Sequence, residues 1–441
     1  MKRDLTKGSI GISLFVFALP MIFGNLLQQL YNLADMWIVG RYIGHEALAA
    51  VGSSYSLVTF LTSVFIGLCM GSGALLSFLT GQRDEKKLRG CVLTAFVLIG
   101  AISLGVCLIV LLFSRPILIL LRTPAEIFAS MQSYVIILAP GLFFIFLYNF
   151  YAFALRASGN SIVTLCFLGE SSLLNIGLDL WFVGRLSLGL EGAAAATVLA
   201  QLFAGLGLAT YANIREPLLR LSVKDFLGCE KPVREILSFS LTSSAQQSVM
   251  NFGILMIQGL VNSFGVNVMS AFAAAVKIDT FAYMPAQEFG SAYSIFVSQN
   301  YGANERGRIK SGTKTAVITS AVFCAAVSAI IFAFAENLMG LFIDPAEADI
   351  IAVGVEYLRT EGAFYALIGI LFLLYGYFRG TNRPMISLIL TVISLGTRVV
   401  LAYSLSAVEL IGVTGIWWSI PIGWLLADAV GFLLMLRGRE K

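Results

Sequence analysis

Apolar residues in this chain gather into long blocks, separated by short clusters of charges and turn formers. The blocks run over residues 12–39, 48–79, 91–113, 127–155, 162–183, 190–213, 236–262, 268–299, 313–335, 350–378, 385–408 and 411–436. Each is long enough for the roughly 20 residues that cross about 30 Å of hydrocarbon. Lipid offers backbone groups no partner, so such blocks predict helices. The expected fold class is an all-α polytopic membrane protein with twelve transmembrane helices in two pseudo-symmetric six-helix lobes. The first block is too long for a signal-peptide core and no small-x-small cleavage site follows it, so it reads as a retained span.

The longest polar stretch, Ile214 to Arg234, holds Pro217, Pro232 and a dense mix of charges. It reads as a cytoplasmic linker. The expected division is 1–213 for spans 1 to 6, 214–233 for the linker and 234–441 for spans 7 to 12. The halves resemble each other. At an offset of 221, Gly44 falls on Gly265, Thr59-Phe60 on Thr280-Phe281, Ser77 on Ser298 and Gly81 on Gly302. At 223, Arg156-Ala157-Ser158 falls on Arg379-Gly380-Thr381, and Gly192 on Gly415. Six helices per half make the repeat parallel, with a substrate path expected between the lobes.

Composition agrees: 58% of residues are hydrophobic and 12% charged, whereas soluble domains run near 25% charged. Of the lysines and arginines, 22 fall on the side of the termini and the linker, four (Arg41, Arg115, Arg122, Arg185) on the other, and three (Lys277, Arg359, Arg398) within spans. The positive-inside rule then places both termini in the cytoplasm, in a plasma or inner membrane. The six cysteines are scattered, with no metal-ligand spacing, and read as packing residues without disulfides. His45, beside Glu46, reads as a solvated loop residue. No basic cluster suggests nucleic acid, and no nucleotide or hydrolase motif appears, so an enzyme or an ATP-driven pump is not expected.

Candidate chemistry lies inside the spans. Asn25, Gln28, Asn32 and Asp35 follow steps of three, four and three, which puts them on one face of the first helix. The fifth span repeats the pattern with Ser171 or Ser172, Asn175 and Asp179. Both spans run the same way, and both aspartates lie four residues before their ends, so they are expected at one level. Thr197 on the sixth span and Tyr134 on the fourth fall near that level. A carboxyl within a membrane is costly and usually functional. Kept from water, two of them can exchange protons near neutral pH. With an amide and a hydroxyl they can instead hold Na⁺ at Asp35, Asn175, Asp179 and Thr197. Glu170, Lys277 and Glu288 are candidate path or substrate contacts, with Asp279 elsewhere on the eighth helix. Glu356 and Arg359 are spaced as a helical pair. Pro20 interrupts the hydrogen-bonding of the first helix and is a candidate hinge.

Together these segments resemble the multidrug and toxic compound extrusion (MATE) transporters, and within them the DinF-like branch. The resemblance rests on Leu19-Pro20, Tyr31-Asn32-Leu33-Ala34-Asp35, Val39-Gly40-Arg41, Arg156-Ala157-Ser158-Gly159-Asn160, Asn175-Ile176-Gly177-Leu178-Asp179, Glu191-Gly192-Ala193-Ala194 and Ser298-Gln299-Asn300-Tyr301-Gly302-Ala303. It implies export of amphiphilic or cationic small molecules against H⁺ or Na⁺, without a cofactor, by a lipid-embedded monomer. It further implies a cation site at Asp35, Asn175, Asp179 and Thr197, and a bending point at Pro20. The family's other branch carries coupling acids in its seventh and tenth helices. Here the seventh span has none, and Glu361 reads as close to the outer end of the tenth. Two other functions share some of these features. A flippase for lipid-linked saccharides would be expected to add spans or a strongly basic cleft. A gated channel would be expected to carry an arginine ladder or a pore loop. Neither set of features is evident.

Overall fold

The computed structural model describes residues 3–43, 45–121, 123, 125–221 and 232–437. Among the described residues the chain is mostly helical, with turns and short irregular segments between the helices: α1 (Ile10–Tyr42), α2 (His45–Gln82), α3 (Glu85–Leu120), α4 (Ala125–Ala157), α5 (Ile162–Asp179), α6 (Gly189–Arg215), α7 (Val233–Asn262), α8 (Val266–Gly302), α9 (Arg306–Met339), α10 (Ala348–Gly362), α11 (Tyr365–Gly380), α12 (Pro384–Ser406) and α13 (Thr414–Arg437). Among the described residues nine helices are long and apolar enough to cross a membrane alone, and α10 with α11, bent by 51° at their junction, pass the same test together as a tenth, broken span. The remaining two spans are α7 and α8, of 30 and 37 residues. Their hydropathy is lowered by buried polar groups, among them Ser240, Ser243, Gln246 and Asp279. Such side chains suit helices packed against protein or lining an aqueous path.

The structure departs from the block pattern in several places. The tenth block breaks at Gly362, where Phe364 leaves the helical region at φ −116°, ψ 16°. The fifth changes to a π-helix over Leu180–Arg185. His45 begins α2 rather than lying in a loop. Part of the linker is ordered: Pro217–Leu219 form a 3₁₀ turn, and Asn213 accepts from Leu221 N at 3.0 Å. Residues 222–231, with Lys224, Cys229 and Lys231, lie outside the described residues, as do Lys2, Gly44, Arg122 and the tail from 438.

Backbone geometry carries the internal repeat. Arg83 and Asn304, 221 apart, both have positive φ, as do Gly159 with Asn382 and Gly189 with Gly412, each pair 223 apart. Arg83, Gly159, Asn304 and Asn382 follow helix ends, where a left-handed residue lets the next amides satisfy the last carbonyls. Asn160 N donates to Leu155 O at 2.9 Å, and Arg383 N to Phe378 O at 2.8 Å. The paired Arg-Ala-Ser-Gly-Asn and Arg-Gly-Thr-Asn-Arg segments are therefore helix stops.

Packing separates two units. The first comprises Met1–Asp4 and Leu19–Ser244, the second Leu5–Ala18 and Ala245–Lys441. Each has its own apolar core. The boundaries fall inside helices: α1 changes unit at Leu19, beside Pro20, and α7 at Ala245. In the first unit α4 packs on α2, α3 and α6, and α6 on α5. In the second, α8 packs on α9, α10 and α11, and α13 packs on α12. The N-terminal residues of the second unit are held by Arg308, whose guanidinium donates to the carbonyls of Leu5, Lys7 and Gly8. Gln299 accepts from Leu5 N at 3.2 Å.

Candidate functional site

In the first unit α1 and α5 touch through Gly24 and Gly169, where an added Cβ would meet leucine side chains of the other helix at ordinary contact distance. Gly24 faces Leu165 and Leu168, and Gly169 faces Leu27. Asp35 lies eleven residues past Gly24, and Asp179 eleven past Leu168, so parallel helices in this register bring them level. The two carboxyls are close enough to share a proton. Asp179 is fully buried and Asn175, one turn before it, is 1% exposed. Both Asp179 oxygens, Asp35 Oδ1 and both polar atoms of the Asn175 amide have no hydrogen-bond partner among the described residues. Asp179 ends α5 where the π-helix begins, a distortion that recurs at functional sites. The Tyr134 ring on α4 lies near both carboxyls and Tyr31. Thr197 is half-buried on α6, and its hydroxyl donates to Ala193 O at 3.1 Å within its own helix. Two facing carboxylates repel unless a proton or cation lies between them. Unsatisfied oxygens of this kind are the donor set a hard monovalent cation takes.

The second unit holds another carboxyl pair, which sequence reasoning missed. Asp279 on α8 and Glu361 at the end of α10 are buried and within hydrogen-bonding reach of each other. Tyr365 lies beside Asp279, Tyr357 beside Glu361, and Arg398 is near both. Glu361 is not at the outer end of its span. It is the residue before Gly362, where the span breaks, so it lies at the middle of the bent pair. Further along the same unit, Arg379 donates to Gln246 Oε1 at 3.1 Å, and Gln246 Nε2 to Thr391 Oγ1 at 3.1 Å. Arg379, counted above as a loop charge, is thus buried in the bundle. Asp428 on α13 is 3% exposed with both oxygens unpartnered among the described residues.

The MatE family model matches the chain twice, over residues 20–181 and 241–404, once in each half. The chain belongs to the MATE family. It is 30% identical to the probable multidrug resistance protein YpnP of Bacillus subtilis over 440 residues, 99% of this chain and 97% of the relative. It is 25% identical to the probable multidrug resistance protein NorM of Thermotoga maritima, over 97% and 92% of the two chains. A solved structure described as the outward-facing conformation of a multidrug resistance MATE family transporter of the MOP superfamily superposes with a TM-score of 0.91 at 26% identity, covering 98% of this chain and 96% of that one. This MATE protein is therefore a multi-pass membrane transporter similar to probable multidrug resistance proteins.

The remaining sequence candidates spread along the MATE helices. Asn25 and Asn32 are half-buried on α1 and Gln28 is exposed there. Glu170 on α5 and Lys277 on α8 are exposed, and Glu288 is half-buried. Asp279, two residues past Lys277, points into the core because that step turns about 200° around a helix. Glu356 and Arg359 do not pair with each other: Glu356 accepts from Thr414 Oγ1 at 2.6 Å, and Arg359 meets Glu336 at 3.6 Å. Pro20 lies inside α1, which continues through it. Cys69, Cys91, Cys107 and Cys324 are buried, and Cys166 is exposed.

Proposed function

We propose that the protein is a cation-coupled antiporter that exports amphiphilic or cationic small molecules by alternating access, with H⁺ or Na⁺ as the coupling ion. The observation that carries this reading is the Asp35–Asp179 pair, in which both Asp179 oxygens and Asp35 Oδ1 are buried without a hydrogen-bond partner among the described residues. An external cation or proton settles between the two carboxyls, with Asn175 supplying a further oxygen and Tyr134 a hydroxyl at its edge. Loading removes the repulsion that holds α1 and α5 apart at this level. Because α1 passes from one packed unit to the other beside Pro20, a change at Asp35 can alter how the helix runs through that point, and substrate is released outward. The site empties to the cytoplasm before the next substrate is taken. Thr197 joins the cation shell if its hydroxyl turns from Ala193.

Glu170 and Lys277 are exposed well inside their spans; a lipid-facing charge is disfavoured there, so each is a candidate substrate contact of its own unit. Both termini lie in the cytoplasm and the protein acts as a monomer in the plasma membrane. The test is transport in proteoliposomes with ΔpH and ΔNa⁺ imposed separately. One of the two gradients drives efflux by the parental protein. Asp179→Asn should lower gradient-driven efflux by about tenfold or more, the scale on which losing a charge-assisted contact is felt. Parental rates in that variant would sink the scheme. A second reading, favoured by the buried Asp279–Glu361 pair, adds or substitutes a coupling step in the second unit. It predicts that Asp279→Asn, rather than Asp179→Asn, uncouples efflux.

A further inference from the structure

An open groove of about 1160 Å³ lies in the second unit, formed by the end of α9, the start of α10 and Trp418 of α13. It is at the end of these helices remote from the basic loops, since α9 starts with Arg306 and Arg308 and the groove begins at Phe332. Its floor is apolar, from Phe332, Leu341, Ile351, Val355, Phe364 and Trp418. Its rim carries two acids and one base: Glu336, Glu356 and Arg359. The volume exceeds the roughly 300–1,000 Å³ of drug-sized sites, and the groove is open along its length rather than closed over a small ligand. Trp418 is 44% exposed and lies one turn into α13, and tryptophan is enriched at the ends of spans where headgroups meet hydrocarbon.

The rim chemistry selects among amphiphiles. Arg359 meets Glu336 at 3.6 Å, beyond hydrogen-bonding distance, and its guanidinium carbon lies 5.5 Å from the centre of the Phe332 ring. It keeps donors for a phosphate, whose oxygens take a planar guanidinium bidentately. Glu336 is exposed and can accept from an ammonium, while Glu356 adds a second negative charge held by Thr414. A headgroup with one phosphate and one primary ammonium matches both signs. A purely anionic headgroup meets two carboxylates for one cation. We infer that this groove holds a diacyl phospholipid with a zwitterionic amino-phosphate headgroup, phosphate on Arg359, ammonium toward Glu336, and an acyl chain along the apolar floor.

The test uses full-length protein in detergent, incubated with equal amounts of phosphatidylethanolamine, phosphatidylglycerol and tetraphenylphosphonium, with bound species weighed by native mass spectrometry. Phosphatidylethanolamine should be retained over phosphatidylglycerol, and Arg359→Ala should reduce its retention about tenfold or more, the effect of one lost charge-assisted contact. Ala352→Trp, which fills the groove from an exposed position, should reduce it likewise and leave the lipid-free melting temperature unchanged. Equal retention of the two lipids, unchanged retention in both variants, or retention of the lipophilic cation alone overturns the assignment.

Discussion

Two carboxylates at contact distance inside a membrane protein hold one proton or one cation between them far better than they hold none. Asp35 and Asp179 are placed so, with the Tyr134 ring beside both and Asn175 one turn before Asp179. The Tyr134 hydroxyl is a neutral donor near both acids. Tyr134→Phe should keep the fold and weaken the coupling ion or shift its exchange, because a hydrogen bond to a charged group contributes about 1.5–3 kcal/mol, roughly 10- to 150-fold in an equilibrium constant. The measurement is the ion concentration for half-maximal efflux in proteoliposomes, and an unchanged value removes Tyr134 from the site. The aspartates were legible in the sequence because each ends a stripe of polar residues at helical spacing in an apolar block. Asp279 and Glu361 were not, since neither ends a stripe of polar residues at helical spacing. Their meeting depends on the packing of α8 against α10 and on the break after Gly362, and neither leaves a periodic trace. Asp428 had no stripe either.

At the scale of elements, glycine decides where helices can touch. Along α2, a Cβ on Gly67 would fall on the backbone of Ser243 and Ser244, and one on Gly71 on the carbonyl of Phe239, both in α7. These positions form a small-xxx-small pair, which lets helix backbones approach in lipid, where apolar surface alone gives little association. Gly71→Leu should lower the melting temperature in detergent, at a cost of about 1–3 kcal/mol or more for overpacking. Gly52→Ala, on the same helix with open space around it, should be neutral or slightly stabilising. Equal melting of Gly71→Leu and the parental protein would show that α2 and α7 are not held by this contact. The positions of the spans were legible from block lengths, as was the repeat, whereas the break of the tenth block into α10 and α11 was not. Contacts of this kind were not, because one glycine among 42 carries no mark of what faces it. The π-helix after Asp179 was likewise invisible, since Leu180–Arg185 has the composition of any interfacial segment.

At the scale of the whole molecule, the repeat is faithful in backbone and unfaithful in chemistry. Helix stops recur at offsets of 221 and 223, and Tyr134 recurs as Tyr357, each beside a carboxyl pair. The acids do not recur: Ala402 stands where the offset would put Asp179's counterpart, and Leu138 where it would put that of Glu361. The halves thus share a frame and carry their carboxyls on different helices, so the number of coupling ions is not set by symmetry and has to be measured. With the membrane potential clamped at zero, a tenfold ion gradient is about 1.4 kcal/mol per ion. One exchanged ion then supports a substrate gradient of about tenfold, and two support about a hundredfold. If only the Asp35–Asp179 pair couples, the limiting gradient in proteoliposomes is about tenfold, and Asp279→Asn changes the rate but not the limit. If both pairs couple, the limit is about a hundredfold and Asp279→Asn brings it down to about tenfold. The limit is a thermodynamic quantity, so a variant that is merely slow still reaches it, and the comparison separates a coupling acid from one that only holds α8 to α10.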